Sequence, residues 1–144
     1  MIAIGSDHGG FELKERVIAY LSQKGVEYKD FGTYDESSCD YPDIAKVVGE
    51  AVVKGECERG ILICGTGIGI SIAANKIKGI RAALCSDVYS ATMCRKHNNA
   101  NILCLGGRVT GQELAFMIVD TYLNEDFEGD RHQRRIDKIS ALEA

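Results

Sequence analysis

The chain has 144 residues, 45% of them hydrophobic and 26% charged, so one domain with a core of its own is expected over 1–144. A formal net charge of -4 argues against nucleic acid as a general partner. No apolar run approaches membrane-spanning length, and Met1-Ile2-Ala3-Ile4 reads as a strand rather than a basic and apolar leader, so no membrane association and a cytoplasmic location are expected.

Ile2-Ala3-Ile4-Gly5 reads as a short buried strand, followed by the loop Ser6-Asp7-His8-Gly9-Gly10 and a helix from about Phe11 to Lys24. In that helix Leu13, Val17 and Leu21 recur at helical spacing, Glu12, Lys14, Glu15 and Arg16 are expected to face water, and Gly25 fits the position just past the end. Val26 to Phe31 alternates as a second strand. Gly32 to Tyr41 is polar and turn-rich, and Pro42 fits the first turn of a helix reaching about Lys54. Gly60 to Cys64 is an apolar strand; Gly65, Gly67 and Gly69 alternate after it, and a helix opens at about Ile70. Ile80 to Cys85 is the fourth strand, Asp87 to Lys96 a helix, His97-Asn98-Asn99-Ala100 its break, and Asn101 to Leu105 the fifth strand. Gly106-Gly107-Arg108 forms the exit loop. Thr110-Gly111-Gln112-Glu113 reads as a capping box for a helix to about Leu123, and a last helix covers about 130–142.

Strands alternating with helices imply an α/β fold: a doubly wound, Rossmann-like three-layer α/β/α sandwich around a five-stranded parallel sheet. Ligands bind such sheets beyond the carboxyl ends of the strands, where the strand order reverses. With the order 2-1-3-4-5 that crevice lies between strands one and three, and Asp7-His8 face Cys64-Gly65-Thr66 across it.

The glycines at 65, 67 and 69 let backbone N–H groups come close to a ligand, and a helix N-terminus behind them favours an anion. Cys64 stands at the strand tip beside them, where a thiol ionises more easily, which makes it a candidate nucleophile or base. The six cysteines contain no Cys-x-x-Cys pair and offer no zinc spacing, so no catalytic metal is expected. Asp7 and His8 follow the first strand directly, and imidazole can shuttle a proton near neutrality. Alternatively the Asp caps a helix and the His lies on the surface. Arg131 and Arg135 lie one helical turn apart, with Lys138 on the same stripe, and an oxyanion between the two guanidinium groups would offset their repulsion. A plain solvated basic face is the alternative. Arg108 is a third candidate for the same anion. His97 and Asn98 end a helix, where an imidazole ordinarily caps carbonyls; they precede the fifth strand, at the opposite end of the sheet from Cys64, so acting on one substrate would require a second copy of the chain.

Taken together, Asp7-His8-Gly9-Gly10-Phe11, Asp40-Tyr41-Pro42, Ile63-Cys64-Gly65-Thr66-Gly67-Ile68-Gly69, Ala73-Ala74-Asn75-Lys76, Arg95-Lys96-His97-Asn98, Gly106-Gly107-Arg108 and Arg131-His132-Gln133-Arg134-Arg135 resemble, in order and over nearly the whole chain, the motifs of the type B ribose-5-phosphate isomerases and their galactose- and allose-6-phosphate relatives. The resemblance implies an aldose-ketose isomerase of the pentose phosphate pathway that needs no cofactor or metal. It implies Cys64 as the base between carbons 1 and 2, and His97 as the group that opens the furanose ring, with His8 the alternative. Asp7, His8, Gly65, Thr66, Gly67, Ile68, Gly69 and Asn98 would contact the sugar, the Thr66 hydroxyl adding to catalysis. Arg108, Arg131 and Arg135 would hold the phosphate. A homodimer or homotetramer with shared sites is implied, the last helix serving the phosphate site or the interface. Some family members carry a glutamate at the position of Ile70 in place of the cysteine; this chain has the cysteine.

A non-catalytic nucleotide-binding module is the competing expectation. The glycine loop and Asp87, about twenty residues on, imitate a dinucleotide fingerprint, but Ile70 stands where its third glycine belongs.

Overall fold

A computed structural model describes residues 1–143. It contains, in chain order, β1 (Ile2–Ser6), α1 (Phe11–Gln23), β2 (Tyr28–Asp30), α2 (Tyr41–Val53), β3 (Arg59–Cys64), α3 (Ile68–Ala74), β4 (Ala82–Leu84), α4 (Val88–Lys96), β5 (Ile102–Gly106), α5 (Gln112–Asn124) and α6 (Arg131–Ala141). All strand pairs are parallel. The period-2 alternation of the central strands feeds two cores. Ile2, Ile4, Ile61, Ile63, Leu103 and Leu105 pack with residues of α1, α4 and α5, while Ala3, Leu62, Cys64, Ile102 and Cys104 pack with residues of α2 and α3.

The order across the sheet is β2-β1-β3-β5-β4, which corrects the expected 2-1-3-4-5. Every residue of β5 is buried, as a strand paired on both sides requires, whereas the three residues of β4 are half-buried or exposed and suit an edge. The order still reverses between β1 and β3, so the expected crevice keeps its place.

Three local expectations also change. α3 opens at Ile68 rather than Ile70, because Gly67 takes a left-handed φ of 82° and turns the chain there. The Thr110 capping box does not form: Gly111 is the N-cap, and the Thr110 N–H donates to Gly106 O at 2.9 Å, holding Thr110 in the turn after β5.

Lys14 is not on the wet face of α1 but fully buried. Its position beside Leu13 and one turn before Val17 puts it on the buried stripe. The ammonium donates to Asp30 Oδ1 at 2.7 Å, Asp30 Oδ2 at 2.9 Å and Thr33 O at 2.6 Å. Three protons thereby find acceptors in the segment leaving β2, which ties α1 to the loop beyond that strand.

Asp30→Ala leaves this ammonium buried with the Thr33 carbonyl and, at 3.6 Å, the Glu15 carboxylate to face, and is expected to cost about 3 kcal/mol, seen as a lower urea midpoint at unchanged slope. Lys14→Met, which removes the charge and keeps the stem, is expected to cost less than half as much. Equal losses in the two variants would show that the ion pair is not what holds this junction.

Candidate active site

β3 delivers Cys64 to the carboxyl edge of the sheet with its side chain on the α2/α3 face, 5% exposed. The chain then turns at once. Gly67 needs its positive φ, and a Cβ there would lie 2.5 Å from Leu84 Cδ1 and 2.9 Å from the Leu105 carbonyl carbon. The turn points the Gly67 N–H back at Cys64 Sγ, 3.1 Å away. Thr66 Oγ1 accepts from the Ile68 N–H at 3.1 Å, so this hydroxyl shapes the loop. Two amides of the expected anion cradle are therefore engaged inside the loop. Those of Gly65, Thr66 and Gly69 donate to no other group among the described residues.

The loop after β1 packs against this turn. The Asp7 N–H donates to Ile63 O at 3.2 Å, across the β1–β3 boundary, and Asp7 Oδ1 accepts from the Gly10 N–H at 3.1 Å just before α1. Asp7 is 6% exposed and its carboxylate closes the turn before α1, whose N-cap is Gly10. His8 Nδ1 accepts from the Cys39 N–H at 3.2 Å, which leaves a neutral His8 with its proton on Nε2. From β5 comes Arg108, whose N–H donates to Gly65 O at 2.9 Å. Its guanidinium lies across Gly65 and Gly9, with Nη1 3.3 Å from the place of a Gly65 Cβ and Cζ 3.4 Å from that of Gly9. A cavity of about 470 Å³ opens beside it, lined by His8, Gly9, Glu12, Arg16, Arg108 and Gln112 among others. Arg16 is held there by Glu12 at 2.8 Å and by the Gln112 side chain.

Tyr41 carries no assigned role in the sequence reading, yet its ring lies over Gly69, with Cζ 2.7 Å from where a Cβ would be. Its motif, Asp40-Tyr41-Pro42, was the available signal. Ile68, the last loop position, is exposed at the start of α3. Asp87 does not serve a ribose. Its carboxylate caps α4, accepting from Ser90 N at 2.6 Å and Ser90 Oγ at 2.9 Å, and the Ser90 backbone N–H holds its pKa below the ordinary carboxylate value. That use of Asp87 removes the support for the dinucleotide reading.

The remaining candidates gather elsewhere. His97 follows α4, the helix that carries the chain from the carboxyl end of β4 back toward the start of β5. Asn98 O accepts from Arg81 Nε at 3.2 Å, beside the start of β4. Arg131 and Arg135 are exposed on α6, a helix anchored by buried His132 and Ile136. The His132 ring stacks on His97, centroids 4.1 Å apart and planes 14° apart. Both Nε2 atoms approach Glu128 Oε1, at 3.5 Å from His97 and 3.7 Å from His132. Burial, and then the neighbouring His97, hold the His132 pKa below the ordinary histidine value. His132 and Glu128 were not singled out as functional; the first lies inside a quoted motif, the second in an acidic loop with no pattern to mark it.

One chain thus gathers the candidates into two separate groups. Asp7, His8, the 64–69 loop and Arg108 meet at the carboxyl ends of β1, β3 and β5; His97, Asn98, Arg131 and Arg135 belong to the opposite end. Among the described residues no helix is long and apolar enough to cross a membrane.

The model of the family described as Ribose/Galactose Isomerase matches residues 2–139. Ribose-5-phosphate isomerase B of Escherichia coli strain K12 is 54% identical over 142 residues, 99% of this chain and 95% of that protein. D-erythrulose-4-phosphate isomerase of Pectobacterium atrosepticum is 46% identical over 99% of this chain and 94% of its own length. The structure of Clostridium thermocellum ribose-5-phosphate isomerase B superposes with a TM-score of 0.98 at 57% identity, covering 99% of this chain and 96% of that one. With fold, loop chemistry and motif order all agreeing, the chain belongs to the ribose/galactose isomerase family.

Proposed function

We propose that this protein interconverts D-ribose 5-phosphate and D-ribulose 5-phosphate through a cis-enediolate, with Cys64 as the base. The observation that carries the reading is the surroundings of the sulfur: Sγ sits at the strand tip, oriented by the Gly67 N–H at 3.1 Å, with the amides of Gly65, Thr66 and Gly69 left uncommitted beside it. The named activities of the two ribose-5-phosphate isomerase B relatives support the same substrate.

In the open-chain aldose the proton on carbon 2 is acidified by the neighbouring carbonyl. The Cys64 thiolate takes it and negative charge moves onto oxygen 1; the proton of the carbon-2 hydroxyl passes to that oxygen, and the thiol returns its proton to carbon 1 as the charge, now on oxygen 2, collapses to a ketone. Fixed N–H donors near that oxygen stabilise the charge without reorganising, each by roughly 3 kcal/mol. A backbone cradle suits this step because the charge is transient and a mobile cation is not required. Arg108 holds the phosphate remote from the reacting carbons, so that its binding energy orients them.

The ring-opening group His97, the sugar contact Asn98 and the phosphate ligands Arg131 and Arg135 come from a second copy in a homodimer or homotetramer. The support is their place at the far end of the sheet from Cys64 in a single chain. His8 is the alternative ring-opening group; its Nδ1 is occupied by the Cys39 N–H. The kinship with an isomerase named for a four-carbon phosphate leaves chain length as the point of specificity, set by the span from Cys64 to the arginines.

Cys64→Ala is expected to slow solvent deuterium uptake into ribulose 5-phosphate by 10²–10⁴-fold, on the order of a lost general base. Uptake at the native rate would remove the sulfur from the mechanism. Ribulose 5-phosphate has no furanose form, so His97→Asn is expected to lose turnover of ribose 5-phosphate while deuterium exchange into the ketose continues. Two equally depressed reactions would argue against a role confined to ring opening. Cys64→Ala and His97→Asn chains, each nearly inactive, are expected to regain about a quarter of native turnover when co-assembled, because mixed dimers carry one intact shared site. No recovery would place both residues in one chain's site. Side-by-side rates should favour ribose 5-phosphate over allose 6-phosphate and galactose 6-phosphate by roughly tenfold or more, the range one carbon can impose. Comparable rates would overturn the pentose assignment.

A further inference from the structure

We propose that Arg16 is a selectivity residue of the sugar-phosphate site: it balances the charge of the cavity beside Arg108, so that a doubly negative phosphate ester is accepted there. The inference deepens the function proposed above and rests on the phosphate lying beside Arg108. Among the described residues, the charged side chains lining this cavity of about 470 Å³ are two carboxylates, Glu12 and Glu36, and two guanidinium groups, Arg108 and Arg16. His8, whose Nδ1 accepts the Cys39 N–H, adds no charge. Without Arg16 two carboxylates face one cation, and the field opposes a phosphate that carries nearly two negative charges at neutral pH.

The reason for a carboxylate in such a place lies in α1. Glu12 stands in the first turn of that helix, where negative charge is favoured. Arg16 follows one turn later on the same face, with Nη2 2.8 Å from Glu12 Oε1. From α5, Gln112 Oε1 accepts from Nη1. The planar group is thus held between two helices, and among the described residues its other N–H donors have no protein partner. Arg16 and Gln112 also line a neighbouring hollow of about 300 Å³ that contains Tyr20 and Phe116, so together they stand between the two spaces.

Magnitudes decide where this charge is felt. The side chains of Arg16 and Glu12 are 51% and 73% exposed, and an ion pair so exposed adds little to the stability of a fold. The same charge still reaches an anion in the cavity, because groups lining a space of this size stand within about a Debye length, ~8 Å at physiological salt, of what it holds. Loss of Arg16 is therefore read in the affinity for a dianion rather than in folding.

The test measures KM and kcat for ribose 5-phosphate and, by calorimetry, the Kd of inorganic phosphate, in the native oligomer and its variants at low ionic strength. Arg16→Ala is expected to raise KM and Kd about fivefold with kcat within about twofold, the scale of one unit charge acting on a dianion at such a range. Arg16→Lys, which keeps the charge, should recover most of the loss. Glu12→Gln/Arg16→Ala should return both constants to near the native values, because one carboxylate and one guanidinium group are then left. Potassium chloride at about 0.5 M should remove most of the difference between Arg16→Ala and the native protein. Unchanged KM and Kd in Arg16→Ala, a fall in kcat alone, or a double variant as weak as Arg16→Ala would overturn the role. Phosphate binding that survives Arg108→Ala unchanged would place the anion elsewhere and overturn it as well. Should the native protein turn over no ribose 5-phosphate, the function proposed above falls, and the phosphate Kd values still decide the role of Arg16.

Discussion

Backbone meets backbone without an intervening side chain where the loops after β1, β3 and β5 cross, and the positions of the reactive groups depend on that contact. A Cβ on Gly10 would stand 2.4 Å from Ile63 O, and one on Gly106 would stand 2.5 Å from Thr66 O. Either methyl would have to displace main chain, which a packed sheet resists. Hydrogen bonds close the same junction, from the Gly107 N–H to Cys64 O at 2.8 Å and from the Arg108 N–H to Gly65 O at 2.9 Å. Asp7, Cys64 and Arg108 each lie within three residues of this crossing. Their mutual geometry is therefore set by main chain, the least adaptable part of the molecule, which is what a charge-stabilising site needs.

Buried cations extend that rigidity to both ends of the sheet. Lys14 binds the segment leaving β2 from inside α1. At the other end Arg95 is 5% exposed and donates to Asn99 Oδ1 at 2.8 Å and Ala100 O at 2.7 Å. Its Nε also reaches Glu125 O at 3.4 Å, and burial holds its pKa below the ordinary arginine value. Carbonyl oxygens take up much of the work of solvating both groups. Each cation thus fixes irregular chain that regular hydrogen bonding leaves loose, and the Arg95 set brackets His97 on one side and the Glu125–Asp130 loop on the other.

The two groups of candidate residues follow from the direction of a parallel sheet. Loops that leave strands gather at one end, and loops that enter them gather at the other. A helix such as α4 spans the distance between the two. Side chains at the two ends, such as Cys64 and His97, can meet on one ligand only if two chains come together. The same arrangement leaves His97 free to be held by neighbours of its own, His132 and Glu128, which have no counterpart beside Cys64.

Much was legible before any coordinates. Alternating apolar runs and helical periods determined the parallel α/β fold, the glycine spacing marked the loop after Cys64, and the ordered motifs carried the family. These are local or pairwise regularities, imposed by backbone geometry within a few residues. What the linear pattern did not reveal depended on who packs beside whom. Strand order placed β5 inside β4 because burial on two faces is a property of the sheet, not of either segment. Lys14 reads as a surface lysine until Asp30 and Thr33 arrive from another element to receive its protons. Thr110 and Glu113 have the letters of a cap, but the turn after β5 claimed the threonine's amide first. The cluster of His97, Glu128 and His132 was invisible for the same reason: its members come from the end of one helix, an acidic loop and the start of another helix, and only the folded chain brings their atoms within a few ångströms.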